Sequence, residues 1–317
     1  MVFNIDEYLN SLPDDVEKID VSNKGLKYLP ELSRFKHLTN LGCSDNNLTS
    51  LPVLPENLII LQCSNNQLTS LPVLNKQLES LNCVYNQLTS LPDLNENLRE
   101  INCMNNLLTS LPILNEKLEE LTCCSNHLTS LPVLNKNLTY LNCSYNKIIS
   151  LPVLNKELKK LYCNSNVLRS LPILPENLMS LECHSNYLTS LPILNRKLKR
   201  LECFSNQLKS LPVLNKELEM LTCYNNELTS FPVLNENLKY LCYFNNPISH
   251  IMLHNNNFDI LKKNIKTLNN FRYLYYCLKY KTRFLKMMEP IIKKRYHPSY
   301  LYNLTEEDDL DEKLGEW

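Results

Sequence analysis

From Leu38 to Asn237 the same 20-residue phrase is written ten times, and no other property of the chain limits its fold as severely. One copy, residues 131–150, reads LPVLNKNLTYLNCSYNKIIS. Cysteine recurs at every twentieth position from Cys43 to Cys223, asparagine from Asn46 to Asn246, and proline from Pro52 to Pro232. Leucine or a near equivalent holds the columns that begin at Leu51, Leu54, Leu58, Leu61 and Leu68. A fixed period of about 20 to 50 residues marks a solenoid: one unit cannot bury its apolar face alone, and stacked units can. A degenerate unit precedes the run (Val16, Ile19, Val21, Leu26) and a partial one follows it (Leu238, Leu241, Tyr243, Ile248). The expectation is therefore about 12 coils over residues 16–252, behind an N-terminal cap at 1–15.

Each unit explains itself physically. In Leu138-x-x-Leu141-x-Cys143 the last two residues alternate as one face of a short strand does. Units in register would stack such strands into one parallel sheet, with apolar columns pointing into a continuous core. Asn146 follows where the chain must turn, and its amide can satisfy backbone groups of that turn and of the neighbouring coil. Asparagine also tolerates left-handed backbone better than most residues. Leu151-Pro152-Val153-Leu154 returns as an extended segment, because proline fixes its own φ and biases the preceding residue away from helix. Ten prolines at this step leave no room for a full helix on the far side. The composition agrees. The chain has three glycines and no alanine, so the glycine-dependent phosphate loops and nucleophile elbow are excluded. A coil that turns on asparagine and returns on proline seldom needs glycine.

The pattern LxxLxCxxNxL with LPxLxxxL resembles the leucine-rich repeat family in its shortest, 20-residue form, best known from bacterial effector proteins. The cysteine at the third strand position, the missing alanine and the bias to asparagine, isoleucine and lysine also resemble leucine-rich repeat proteins of giant DNA viruses. The resemblance implies a right-handed solenoid with a parallel sheet on the concave side, an extended convex side, a short helical N-terminal cap and a helical C-terminal cap. It further implies viral or effector-like engagement of a host protein. Effectors with this repeat often carry a ubiquitin-ligase domain whose catalytic cysteine is followed two residues later by aspartate. Cys43-Ser44-Asp45 has that spacing but sits in the repeat column shared by nine other cysteines, so the catalytic role does not carry over.

Thirteen cysteines invite metal or disulfide readings. Zinc needs ligands that converge tetrahedrally, whereas the ten column cysteines point the same way from successive strands. Neighbouring strands lie about 4.8 Å apart, while bridged Cβ atoms sit about 3.8 Å apart. A buried, reduced ladder is the expectation. Cys124 and Cys242 fall at outward positions, where a reactive thiol would be sought. His250 and His254 are spaced i, i+4 but have no evident third ligand, so no metal or cofactor is expected. The first residues do not resemble a secretory signal and no apolar run approaches the roughly 20 residues that span a bilayer. A monomeric cytoplasmic protein (host cytoplasm for a viral or effector chain) is expected.

Function should lie on the concave face. The column after the cysteine runs Ser44, Ser64, Val84, Met104, Cys124, Ser144, Asn164, His184, Phe204, Tyr224, Phe244, and its last four members are aromatic or imidazole. Strand alternation points this column outward, where no core requirement places aromatics. His184, Phe204, Tyr224 and Phe244 are expected to carry affinity, with Tyr162, Glu182, Arg200 and Glu202 setting specificity. Non-catalytic recognition of an unidentified protein partner is the expected function.

Two other functions compete. One is a substrate-selecting adaptor in ubiquitin transfer, against which the short segment before the repeats counts. The other is binding of nucleic acid or an anionic membrane through the C-terminal cap at 253–300. Residues 257–297 hold 11 Lys or Arg against Asp259 and Glu289, net +9. An acidic tail at 301–317 follows, in which seven acids face Lys313. Apolar residues Leu261, Ile265, Leu268, Tyr275 and Leu278 keep helical spacing in the cap, which reads as one or two helices broken at Pro290. A solvated helix face is the commoner meaning of such charge, so a nucleic-acid partner is not expected.

Overall fold

The computed structural model describes residues 3–250, 258–279, 286 and 290. Twelve three-residue strands follow a short helix, α1 (Ile5–Ser11). They are β1 (Lys18–Asp20), β2 (Asn40–Gly42), β3 (Ile60–Gln62), β4 (Ser80–Asn82), β5 (Glu100–Asn102) and β6 (Glu120–Thr122). The second half comprises β7 (Tyr140–Asn142), β8 (Lys160–Tyr162), β9 (Ser180–Glu182), β10 (Arg200–Glu202), β11 (Met220–Thr222) and β12 (Tyr240–Cys242). They form one parallel sheet in sequence order, β1 to β12. Register is kept throughout, so that Leu141 pairs with Leu161, Leu181 with Leu201 and Leu221 with Leu241. This is the leucine-rich solenoid expected from the repeat.

The core repeats with the phrase. In the coil of β7, Leu138, Leu141, Cys143 and Ile148 are fully buried, and the same columns are buried in the coils on either side. Asn146 closes the turn as expected. Its Nδ2 donates to the carbonyls of Cys123 (3.0 Å), Cys143 (3.1 Å) and Ser144 (3.1 Å), and its Oδ1 accepts from the Leu128 N–H at 2.9 Å. One side chain thus ties two coils together, and every member of the column from Asn46 to Asn246 bonds likewise across coils. The left-handed backbone, however, belongs to the preceding residue: Tyr145 has φ 54°, and Ser125, Ser165 and Asn225 match it at 55°, 54° and 53°. The asparagine spends its amide on the turn, and its neighbour takes the strain.

A second asparagine ladder runs along the return segment and was not anticipated. Asn155 Nδ2 donates to Asn135 O at 2.7 Å and Leu138 O at 3.0 Å, and Asn135 and Asn235 bond alike to the coil before them. Backbone with no strand or helix partner is satisfied in this way.

At the N-terminus Asn4 caps α1, its side chain accepting from Glu7 N at 3.3 Å. Arg34 ties the helix down by bonding Asp14 at 3.0 Å and the carbonyl of Leu9. Gly42 in β2 leaves room for the Asp20 side chain, whose Oδ1 would lie 2.9 Å from a Cβ there.

The described residues after His250 belong to a second unit, separate from the solenoid. It contains α2 (Phe258–Lys279), in which Leu261 and Ile265 are buried while Phe271, Tyr273, Leu274 and Tyr275 are exposed. Tyr275 keeps the helical spacing read from the sequence but is exposed. The acidic tail and His254 lie outside the described residues, as does the cap beyond α2 apart from Lys286 and Pro290. Among the described residues no helix is long and apolar enough to cross a membrane.

Candidate functional site

In each strand the central residue faces the core, so its two neighbours face the outer side of the sheet. Perfect register then lines up side chains from successive coils at one strand spacing, about 4.8 Å. Flat rings at that spacing have one economical arrangement, and the structure adopts it. His184 stacks on Phe204 at 4.0 Å between centroids, Phe204 on Tyr224 at 4.4 Å and Tyr224 on Phe244 at 4.5 Å, with interplanar angles of 9° to 12°. The four rings form one continuous pile over four coils. Tyr140 meets Tyr162 edge-on at 5.5 Å further along the same face.

A charged group adjoins the His184 end of the pile. Arg200 Nε approaches Glu182 Oε1 at 3.6 Å, and its Nη2 bonds Glu202. The arginine side chain is 48% exposed, but those of Glu182 and Glu202 are only 21% and 13% exposed. Burial, then the Glu202 charge, push the Glu182 carboxyl above its ordinary value, with Arg200 opposing. Burial pulls His184 below the ordinary imidazole value, with Glu202 acting the other way. His184 Nδ1 lies 3.2 Å from Ser185 Oγ. Donor atoms of Glu182, His184 and Glu202 all lie within 4.8 Å of one another. Two hydroxyls beside them, Ser180 Oγ and Thr222 Oγ1, are buried without a hydrogen-bond partner.

All eight residues singled out from the sequence, Tyr162, Glu182, His184, Arg200, Glu202, Phe204, Tyr224 and Phe244, therefore fall on one face of β8 to β12 or directly after those strands. The outward reading of the column after the cysteine needs correcting in its first half. Val84, Cys124, Ser144 and Asn164 are buried, Ser44, Ser64 and Met104 are half-buried like His184, Phe204 and Tyr224, and Phe244 is 44% exposed. Each strand ends before its core cysteine, so alternation no longer holds one residue beyond it. Cys124 is consequently not a reactive thiol: it is 6% exposed and burial pushes it up. Cys242 is partly exposed, although burial raises it too. Cys43, buried and pushed up to about 12 chiefly by desolvation, has no nucleophilic character despite its spacing to Asp45.

Two features escaped sequence reasoning. The gathering of Glu182, His184 and Glu202 into one cluster was legible only as three separate column entries. The other is a row of exposed apolar residues on the return segment, among them Ile113 (89%), Val133 (84%), Val153 (86%) and Ile173 (87%). Its signal was the residue after each proline, which is Val or Ile in every uniform unit except at Asp93. A shallow hollow of about 570 Å³ opens beside Val133 and Val153, rimmed by Lys136, Lys156 and Glu157.

No protein-family model and no curated protein matches the chain. Solved structures do. YopM from Yersinia enterocolitica WA-314 is 36% identical over 75% of this chain and 57% of its own, with a TM-score of 0.66. YopM from Yersinia pestis, described as a leucine-rich effector protein, is 33% identical over 73% of this chain and 78% of its own, with a TM-score of 0.58. The functional domain of InlJ from Listeria monocytogenes, described as including a cysteine ladder, is 28% identical over 73% of this chain and 63% of its own, with a TM-score of 0.54. The chain thus spans 57% of the length of the first of these and 63% of the last. All three are bacterial, and they lend the likeness to viral proteins no support.

Proposed function

Because the chain belongs to the leucine-rich repeat family in its 20-residue form, we propose that it is a non-catalytic recognition protein that holds a protein partner on the concave face of its sheet. The observation that carries this reading is the ring pile His184–Phe204–Tyr224–Phe244, half-buried along its length and open at Phe244. Aromatic and arginine side chains dominate binding hot spots, and here they share one face with partly desolvated carboxylates. Stacking fixes the rings before any partner arrives, so little side-chain entropy is lost on binding. Tyr162, Glu182, Arg200 and Glu202 border the pile and would select among partners by charge. By likeness to YopM, whose description is that of an effector, the partner would be a protein of a host cell, met in its cytoplasm.

The test is affinity capture from host-cell lysate by the wild type and a Phe204→Ser/Tyr224→Ser variant, side by side. The partner's affinity is expected to fall at least about a hundredfold with the variant, as about 2 kcal/mol or more per hot-spot residue implies. Both proteins should melt cooperatively, because neither ring belongs to the leucine–cysteine core. Proteins retained equally by both baits, with both baits folded, would overturn the assignment.

A further inference from the structure

We propose that Glu182, His184 and Glu202 form a binding site for a divalent transition-metal ion, Zn²⁺ best matching the donor set. The three donor atoms come from β9, the segment just after it and β10, and lie within 4.8 Å of one another. In a tetrahedral zinc site with bonds of about 2.1 Å, ligand atoms stand about 3.4 Å apart. The two glutamates have three χ angles each through which to close the difference. The imidazole is already oriented by its stack on Phe204 at 4.0 Å and by Ser185 Oγ at 3.2 Å from Nδ1, which leaves Nε2 to coordinate. One imidazole and two carboxylates suit zinc better than calcium or magnesium, which prefer oxygen alone. A face-bound ion with three protein ligands keeps a fourth position for water or for a donor from a partner.

An independent observation points to the same place. Ser180 and Thr222 are 9% and 7% exposed, yet their hydroxyls have no hydrogen-bond partner. Such orphaned groups are uncommon in native interiors. Thr222 pairs in register with Glu202, and Ser180 pairs with Arg200, two residues before Glu182 on the same face. Metal-bound carboxylates are regularly supported by second hydrogen bonds from such neighbours. Two spare hydroxyls flanking the carboxylates meet that requirement.

Arg200 supplies the cation in the metal-free state, bonding Glu202 and approaching Glu182 at 3.6 Å. It is half exposed, and an exposed ion pair contributes little, so a dication displaces it at small cost. Arginine and metal therefore compete for the same carboxylates. The competition gives the site a signature that adventitious surface binding lacks: removing Arg200 should strengthen metal binding.

The site needs no protein partner, and its test uses none. The full, reduced chain would be titrated with Zn²⁺ against a chromophoric chelator, with Glu182→Gln/Glu202→Gln and Arg200→Gln variants measured in parallel. Circular dichroism would confirm that all three proteins are folded. The expected results are one Zn²⁺ in the wild type beyond that bound by the double glutamine variant, and affinity about two- to fivefold tighter with Arg200→Gln. Equal zinc binding by the wild type and the double glutamine variant, or unchanged or weaker binding with Arg200→Gln, would overturn the proposal. Neither outcome bears on recognition by the ring pile, which the serine variant tests separately.

Discussion

Replacing Asn146 with alanine is expected to destabilise the chain by about 2–4 kcal/mol, since one buried backbone group left without a partner costs roughly 1–3 kcal/mol and the other hydrogen bonds lost contribute about 1 kcal/mol more. The mutation orphans the Leu128 N–H and removes one of the donors to the carbonyls of Cys123, Cys143 and Ser144, which keep Asn126 Nδ2, Asn166 Nδ2 and the Ser125 N–H. No water can replace it at low cost, because the asparagine is 9% exposed and leucine columns lie on either side. Asn146→Asp should be nearly as damaging. It keeps the acceptor for Leu128 but turns a carboxylate oxygen toward three carbonyls. Lys147→Ala, one residue on and exposed, should stay within about 0.5 kcal/mol of the wild type. Equilibrium urea unfolding measures all three. Since coils contact only their neighbours, a break in the middle of the stack should also broaden the transition. A loss below about 1 kcal/mol for Asn146→Ala would mean that the asparagine ladder is decoration on a leucine core.

The second large effect concerns the cysteine column. Desolvation pushes Cys43 and Cys143 up to about 12 and raises Cys63, Cys83, Cys103, Cys123, Cys163, Cys183, Cys203 and Cys223 as well. At pH 8 a thiol of pKa 12 is about 10⁻⁴ ionised, against roughly a quarter for a free cysteine of pKa near 8.5. Iodoacetamide attacks the thiolate, so labelling of Cys143 in the folded chain should be slowed more than about a thousandfold. Exclusion of the reagent adds to this. Among the described cysteines Cys242, which is partly exposed, should react first. Labelling of the column would then proceed through unfolding, and Asn146→Ala should accelerate it by about one and a half to three orders of magnitude, tracking its loss of stability. Site-resolved mass spectrometry reads each rate. Cys143 alkylated as fast as Cys242 would contradict the buried, protonated ladder.

Much of this was legible in the sequence because the repeat makes each inference ten times over. A single Leu-x-Cys alternation is weak, but ten in register require stacked strands, and the sheet from β1 to β12 follows. The role of Asn146 was readable for the same reason, since a buried amide at a turn has few uses. What repetition cannot express is geometry within the unit. That the left-handed residue is Tyr145 depends on where the three-residue strand stops, and propensity placed it one position late. The same end effect made Cys124 look outward when it is buried. At the site, the ring pile was readable as a column, whereas the Glu182–His184–Glu202 cluster was not. Its members stand at two different positions of the repeat, and only the side-chain directions at β9 and β10 bring them together. The exposed row of Val and Ile after the prolines is plain in the sequence, but extended backbone alone does not fix which way those side chains point.

That row supplies the control for the central claim. The Val153 and Ile173 side chains are more exposed than any ring in the pile, so apolar exposure alone would favour the convex side as the binding face. The decisive measurement is the affinity of the captured partner for three proteins: wild type, Phe204→Ser/Tyr224→Ser, and Val153→Ser/Ile173→Ser. Recognition by the concave ring pile predicts a loss of at least about a hundredfold for the first pair and less than about threefold for the second, whose side chains leave the partner untouched. The reverse pattern, or equal losses from both pairs, would contradict it.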